Sequence, residues 1–266
     1  MLVRFVAYNI CFGGADRLEP IARVLAQLAP DVAALTEADD ESVVVELAQR
    51  LGLRHAWARG SGDRHIALLS RFPIRAWHIY NTPPLTQAAL EATLELPNSG
   101  VLTVYSVHLL PYLLLPFEVR RAQAMRKLLG HAAAAPGPRL ILGDLNAVAP
   151  GDRVLQSRNP ARMRRVQLLQ ANTVFHLAIG QLLRAGYVDC YRARHPNGQA
   201  HGPEPDAVDG FTWHTTNPTT RYDYVFAEAA LAPRLRGCRV VDAHSVPDIP
   251  AASDHFPLLA EFDLDA

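Results

Sequence analysis

Lysine is almost missing from these 266 residues: Lys127 is the only one, and arginine carries the rest of the positive charge. Net charge is missing too, because Lys plus Arg and Asp plus Glu each number 26. That balance excludes gripping nucleic acid by bulk charge and leaves only a local basic patch for the purpose. Arginine suits phosphate recognition, but a bias spread along the whole chain marks no site. With so much alanine and proline it also fits a GC-rich genome. Cysteine is scarce: Cys11, Cys190 and Cys238 show no CxxC or zinc spacing, and their odd number argues against a disulfide framework. No segment approaches the roughly 20 apolar residues needed to span a bilayer. The opening MLVRFVAYN lacks the basic, apolar and small-residue regions of a signal peptide. The expectation is a reducing, cytoplasmic location, with no obligate protein partner evident.

What is present is an ordinary globular balance of 49% apolar and 20% charged residues. No repeat or linker divides the chain, so residues 1–266 are expected to form one domain. Periodicity predicts strands over 2–10, 30–35, 65–70, 74–80, 88–96, 101–108, 139–144, 211–214, 222–227, 238–244 and 256–263. It predicts helices over 17–28, 40–51, 117–134 and 173–185. Residues 147–170 read as basic loop and 195–210 as Pro- and Gly-rich loop. Strands with interspersed helices suggest two packed sheets covered by helices.

Polar residues interrupt the apolar strands. Asn9, Glu37, His108, Asp144 and Asp223 fall at strand ends, and Ser253-Asp254-His255 precedes the last strand. Such groups are expensive there unless paired, hydrogen-bonded or bound to metal. Singly, each has a mundane reading as a cap, a turn residue or a satisfied core histidine. Together they are hard to explain as caps. In Gly143-Asp144-Leu145-Asn146, residues two apart on an extended segment point the same way. Asp144 and Asn146 can thus face one substrate as an anion and a neutral donor. Gly143 allows close backbone approach. Asp223 lies opposite the aromatics of its strand and suits orienting an imidazole, for which His255 is the natural partner. Glu37 and Asp254 remain as hard oxygen donors, which suit Mg²⁺ or Mn²⁺.

The ordered set VAYNI, ALTEA, SRFPI, YSVHL, GDLN, RYDYVF and SDH, spanning nearly the whole chain, resembles the motif series of the endonuclease/exonuclease/phosphatase superfamily with the DNase I-like fold. The resemblance implies an α/β protein: a four-layer α-β-β-α sandwich, with two mixed β-sheets packed face to face and flanked by helices. It also implies divalent-metal-dependent hydrolysis of a phosphate ester. By resemblance, Glu37 with Asn9 beside it would hold the metal, and Asp254 would add to that site. Asp144 would position or activate water. Asn146 and His108 would hydrogen-bond phosphate oxygens, and His255, oriented by Asp223, would stabilise charge or shuttle a proton. Thr36 precedes Glu37 where the family usually has Gln. The ICFGG after Asn9 departs from the motif of abasic-site endonucleases.

Two loops bear on substrate. Residues 151–165 hold five Arg against one Asp. They read either as a phosphate-backbone surface, through Arg162, Arg164 and Arg165, or as a solvated loop. Residues 109–117, LLPYLLLPF, carry no charge. They would line an apolar pocket, dock on a lipid or partner, or pack beneath the next helix. Trp213 would stack on a base or aryl group, or sit in the core. A phosphodiesterase or nuclease acting on DNA or RNA leads. A phosphatase or phosphodiesterase for a small or lipid ester is the alternative, and a catalytically silent binding module is a third reading.

Overall fold

The computed structural model describes residues 1–85, 87–97, 100–196 and 210–265. Most of the expected 195–210 loop lies outside the described residues. The first sheet holds β1 (Leu2–Asn9), β2 (Val32–Thr36), β3 (Arg54–Ala58), β4 (Ile66–Ser70), β11 (Leu235–Val240) and β12 (Leu258–Asp263), in the order β11-β12-β1-β2-β4-β3. The second holds β5 (Ile74–Tyr80), β6 (Ala88–Glu95), β7 (Val101–His108), β8 (Arg139–Asp144), β9 (Tyr187–Asp189) and β10 (Asp223–Glu228), in the order β5-β6-β7-β8-β10-β9. Helices α1 (Leu18–Leu28), α2 (Glu41–Leu51) and α7 (Ile249–Ala252) cover the first sheet. Helices α3 (Leu115–Ala132) and α5 (Leu177–Arg184) cover the second. The sandwich is four layers deep, as the motif series implies. No described helix is long and apolar enough to cross a membrane.

Each sheet is buried on both faces, so its central strands are nearly continuous apolar runs. In β1, alternation sends Val3, Phe5 and Ala7 into the core between the sheets, and Val6 and Tyr8 outward beneath the helices. Two parallel pairs organise the molecule, β1 with β2 and β7 with β8, each joined by a helical crossover (α1 and α3). All four strands end at one edge. His108 is in register with Asp144, and Asp144 with Asp223. Asp223 therefore opens its strand rather than closing it: β10 runs antiparallel to β8, and its start reaches the same edge. Glu37 stands one residue past β2, in the left-handed region at φ 52°.

Gly143 faces a backbone neighbour. At φ 134° a Cβ there would lie 2.2 Å from the Val107 carbonyl oxygen, so the close approach it permits is between β7 and β8.

Other elements depart from the periodicity. Helix α4 (Ala161–Leu168) lies inside the stretch expected to be loop; Gln167 is its only buried residue, so no apolar face announces it. Edge strand β3 buries just Ala56 and Ala58. Strand β9 and the short α6 (Cys190–Arg194) fall where periodicity predicts no element. The strand expected over 211–214 reduces to isolated bridges from Trp213 to Thr220 and His255.

Candidate active site

The edge shared by the strand ends gathers the polar residues, and most are buried. Asn9, at the end of β1, donates through Nδ2 to Glu37 Oε1 at 3.2 Å and to Asp144 Oδ2 at 3.1 Å. Its Oδ1 accepts the Cys11 amide at 2.9 Å, which fixes the orientation: a flipped amide would aim oxygen at two carboxylates. Asn9 thus joins and orients Glu37 and Asp144. The other Glu37 oxygen accepts the Phe12 amide at 3.0 Å and stands 3.5 Å from Arg64 Nε.

Asp144 lies at the centre. Its Oδ1 accepts the Asn146 amide at 2.8 Å. Its Oδ2 lies 3.8 Å from His108 Nε2 and 3.9 Å from His255 Nε2. Burial, then the neighbouring Asp223 charge, pushes its pKa up to about 8. His255 Nδ1 donates to Asp223 Oδ2 at 2.8 Å. Burial alone would lower the imidazole pKa, but Asp223, with help from Asp144 and Asp254, outweighs it and raises it to about 10. His108 is pushed the other way, down to about 4, chiefly by burial. Asn146, at φ 46°, turns Nδ2 to the Leu109 carbonyl at 3.0 Å.

Asp254 is half-buried, and its Oδ2 accepts Trp213 Nε1 at 3.1 Å. Burial acts to raise its pKa, but His255 and the indole N–H prevail and lower it. Trp213 thereby supports a site carboxylate; its ring also lies 5.9 Å from that of Tyr222. Ser253 Oγ donates to the Asn9 carbonyl at 2.6 Å and accepts the His255 amide at 3.0 Å, tying the last motif to the first.

Arg162, Arg164 and Arg165 are not gathered with these groups. They are exposed on α4, and Arg164 Nη1 donates to the Asn159 carbonyl at 2.9 Å. The 109–117 run divides: Leu109 and Leu113 are buried, while Tyr112 and Leu115 are exposed. Sequence reasoning misses Arg64, which bonds Asp39 at 2.9 Å and lies 4.4 Å over the Phe12 ring. It also misses Arg17, which holds the Ile10, Cys11 and Ala252 carbonyls. Arg64 falls between predicted elements and Arg17 opens a predicted helix; neither interrupts an apolar strand, so no signal marks them.

Among the described residues, Asp144, Asp223 and His255 present ligand-type atoms within 4.8 Å of one another. Of the expected metal residues, Glu37 is joined to Asp144 only through Asn9, and Asp254 reaches this group through its charge on His255; Asp223 Oδ1 is buried without a hydrogen-bond partner. A buried excess of carboxylate oxygen fits a hard divalent cation.

A four-layer sandwich with this polar edge defines a DNase I-like α/β protein. The chain belongs to the endonuclease/exonuclease/phosphatase family, whose sequence model matches residues 6–255. Among solved structures it is similar to a 3′ phosphatase from Neisseria bound to product DNA hairpin, at 20% identity and TM-score 0.71, covering 98% of this chain and 99% of that one. It is also similar to an AP endonuclease from Archaeoglobus fulgidus, at 18% identity and TM-score 0.70, covering 98% and 100%. An endonuclease/exonuclease/phosphatase from Beutenbergia cavernae shares 19% identity and TM-score 0.66, covering 99% of this chain and 72% of that one. No curated protein matches the sequence.

Proposed function

We propose that this chain is a divalent-metal-dependent phosphodiesterase. The observation that carries the reading is the meeting, at one sheet edge, of the Asn9–Glu37–Asp144 chain with the Asp223–His255 pair. Glu37, with Asn9 beside it and Asp254 at the rim, would hold Mg²⁺ or Mn²⁺ next to Asp144. Such an ion, when bound, neutralises charge on the phosphoryl and leaving oxygens. Asp144 holds the attacking water and accepts its proton. His255, kept protonated by Asp223, presents Nε2–H to the charge that develops on the ester oxygens. His108 and the second Nδ2–H of Asn146 hold a non-bridging oxygen. Trp213 sets the angle of Asp254.

Nucleic acid is the first substrate class, supported by the five arginines of 151–165 and by the DNA seen with the Neisseria relative. A small or lipid ester is the second. It is favoured by a groove of about 530 Å³ between Tyr112–Leu114, Phe117 and α4. A panel of plasmid DNA, RNA, bis(p-nitrophenyl) phosphate, p-nitrophenyl phosphate, a phosphoinositide and sphingomyelin, assayed with Mg²⁺ or Mn²⁺, tests both. Turnover of diesters over the monoester is expected; cleavage of the monoester alone overturns the reading.

A further inference from the structure

The two loops singled out for substrate choice meet. The 109–117 run leaves the end of β7 just after His108, and the segment leading to α4 leaves the end of β8 just after Asp144. Gln170, past α4, ties them: its Nε2 donates to the Leu113 carbonyl at 2.6 Å, and its Oε1 accepts the Leu115 amide at 3.2 Å. Leu113 packs on Val148 and Tyr222, so the joined surface begins at the rim of the site.

That surface combines exposed apolar side chains with arginine. Tyr112 is 60% exposed, Leu168 62% and Leu169 86%. Arg162 lines the groove between the loop and α4. Neither Arg162 nor Arg165 has a carboxylate partner among the described residues. From Arg153 to Val188 the sequence has six arginines and no acidic residue. The acid on the neighbouring face, Glu118, is buried against Arg121 at 2.8 Å. Arg121 Nη1 in turn donates to the Leu110 and Tyr112 carbonyls, so the loop is held in shape and its exposed side chains are displayed.

We infer that this surface docks the protein on an anionic lipid bilayer, Tyr112, Leu168 and Leu169 entering the headgroup region and the α4 arginines meeting lipid phosphates and carboxylates. Exposed leucines beside arginines supply the two signals that membrane association needs, apolar insertion and charge. A nucleic-acid backbone would satisfy the arginines but gives aliphatic side chains nothing to bury against. A second copy of the chain would set one cationic face against another. Docking goes beyond the phosphodiesterase reading and does not depend on which ester is cut.

The test is co-sedimentation of the full chain with vesicles of phosphatidylcholine, alone or mixed with phosphatidylserine, together with Leu168→Ser/Leu169→Ser. Both leucines are too exposed for their loss to unfold the protein. Binding to phosphatidylserine vesicles is expected to exceed binding to phosphatidylcholine by about tenfold or more and to fall with salt. The variant should lose about tenfold or more while hydrolysing bis(p-nitrophenyl) phosphate at the wild-type rate. No preference for phosphatidylserine, or equal binding by the variant, overturns the inference. So does a variant that loses duplex-DNA affinity equally, or whose oligomeric state changes in gel filtration. Because vesicle binding is read without turnover, an inactive enzyme that still docks would refute the phosphodiesterase reading alone.

Discussion

At Asp144 two demands conflict. The proposed base must be ionised, yet burial and Asp223 push this carboxyl up to about 8. The proposed cation beside Glu37 and Asp144 would reconcile them by favouring the charged form. Asp144→Asn and His255→Ala should each lower kcat on bis(p-nitrophenyl) phosphate by a factor of about 10² or more, with circular dichroism unchanged; near-normal kcat in either would contradict its role. Asp223→Asn acts through His255. Asp223 holds the imidazole near 10, so its loss should bring the alkaline limb of the pH–rate profile to lower pH. The same pair stabilises the fold fully below the unfolded histidine value near 6.5 and loses that contribution as pH rises through about 10. Unfolding curves of wild type and Asp223→Asn should therefore diverge in acid and converge in strong alkali. The double variant with His255→Ala should be scarcely worse in kcat than His255→Ala alone; additive losses would show independent action. These residues are legible in sequence because a carboxylate or imidazole against an apolar strand stands out. Arg64 and Arg17 are not, because long side chains reach the site from turns and helix starts whose position only tertiary packing sets.

Strands and helices with a buried face can be read from their periodicity; those without one cannot. Strands β1, β2, β7 and β8 pack on both sides, and helices α1 and α3 carry apolar stripes. Helix α4, facing water almost all round, leaves no such trace, and β3 is an edge strand with two small buried side chains. Asp223 is half legible: alternation gives a residue's face but not the direction in which its strand runs beside its neighbours. Helix α3 also carries a buried ion pair that no pattern announces. Glu118 accepts the Ala178 amide at the start of α5 at 2.8 Å while paired with Arg121, and Arg121 clamps the loop after His108. Arg121→Ala leaves a buried carboxylate unpaired, so urea unfolding should show a loss of about 3–5 kcal/mol. A loss below about 1 kcal/mol, as for a surface pair, would mean that the loop is not held this way.

Across the whole molecule, the site depends on contacts that no local reading supplies. Asn9 touches Asp144 across 135 residues, and Ser253 reaches back to Asn9 across 244. The four-layer architecture is implied by the ordered motif series and not by periodicity, which stops at two packed sheets. Strand order and the joining of the two substrate loops come only with the fold. The site unites a carboxylate cluster with an Asp–His pair, and the proposed mechanism requires that cluster to hold a divalent cation. The most direct measurement is hydrolysis of bis(p-nitrophenyl) phosphate before and after exhaustive chelation with EDTA, followed by addition of Mg²⁺ or Mn²⁺. Activity should vanish on chelation and return with either ion in the wild type, and should not return in Glu37→Gln. Full activity after chelation, or an undiminished response to metal in Glu37→Gln, would contradict it.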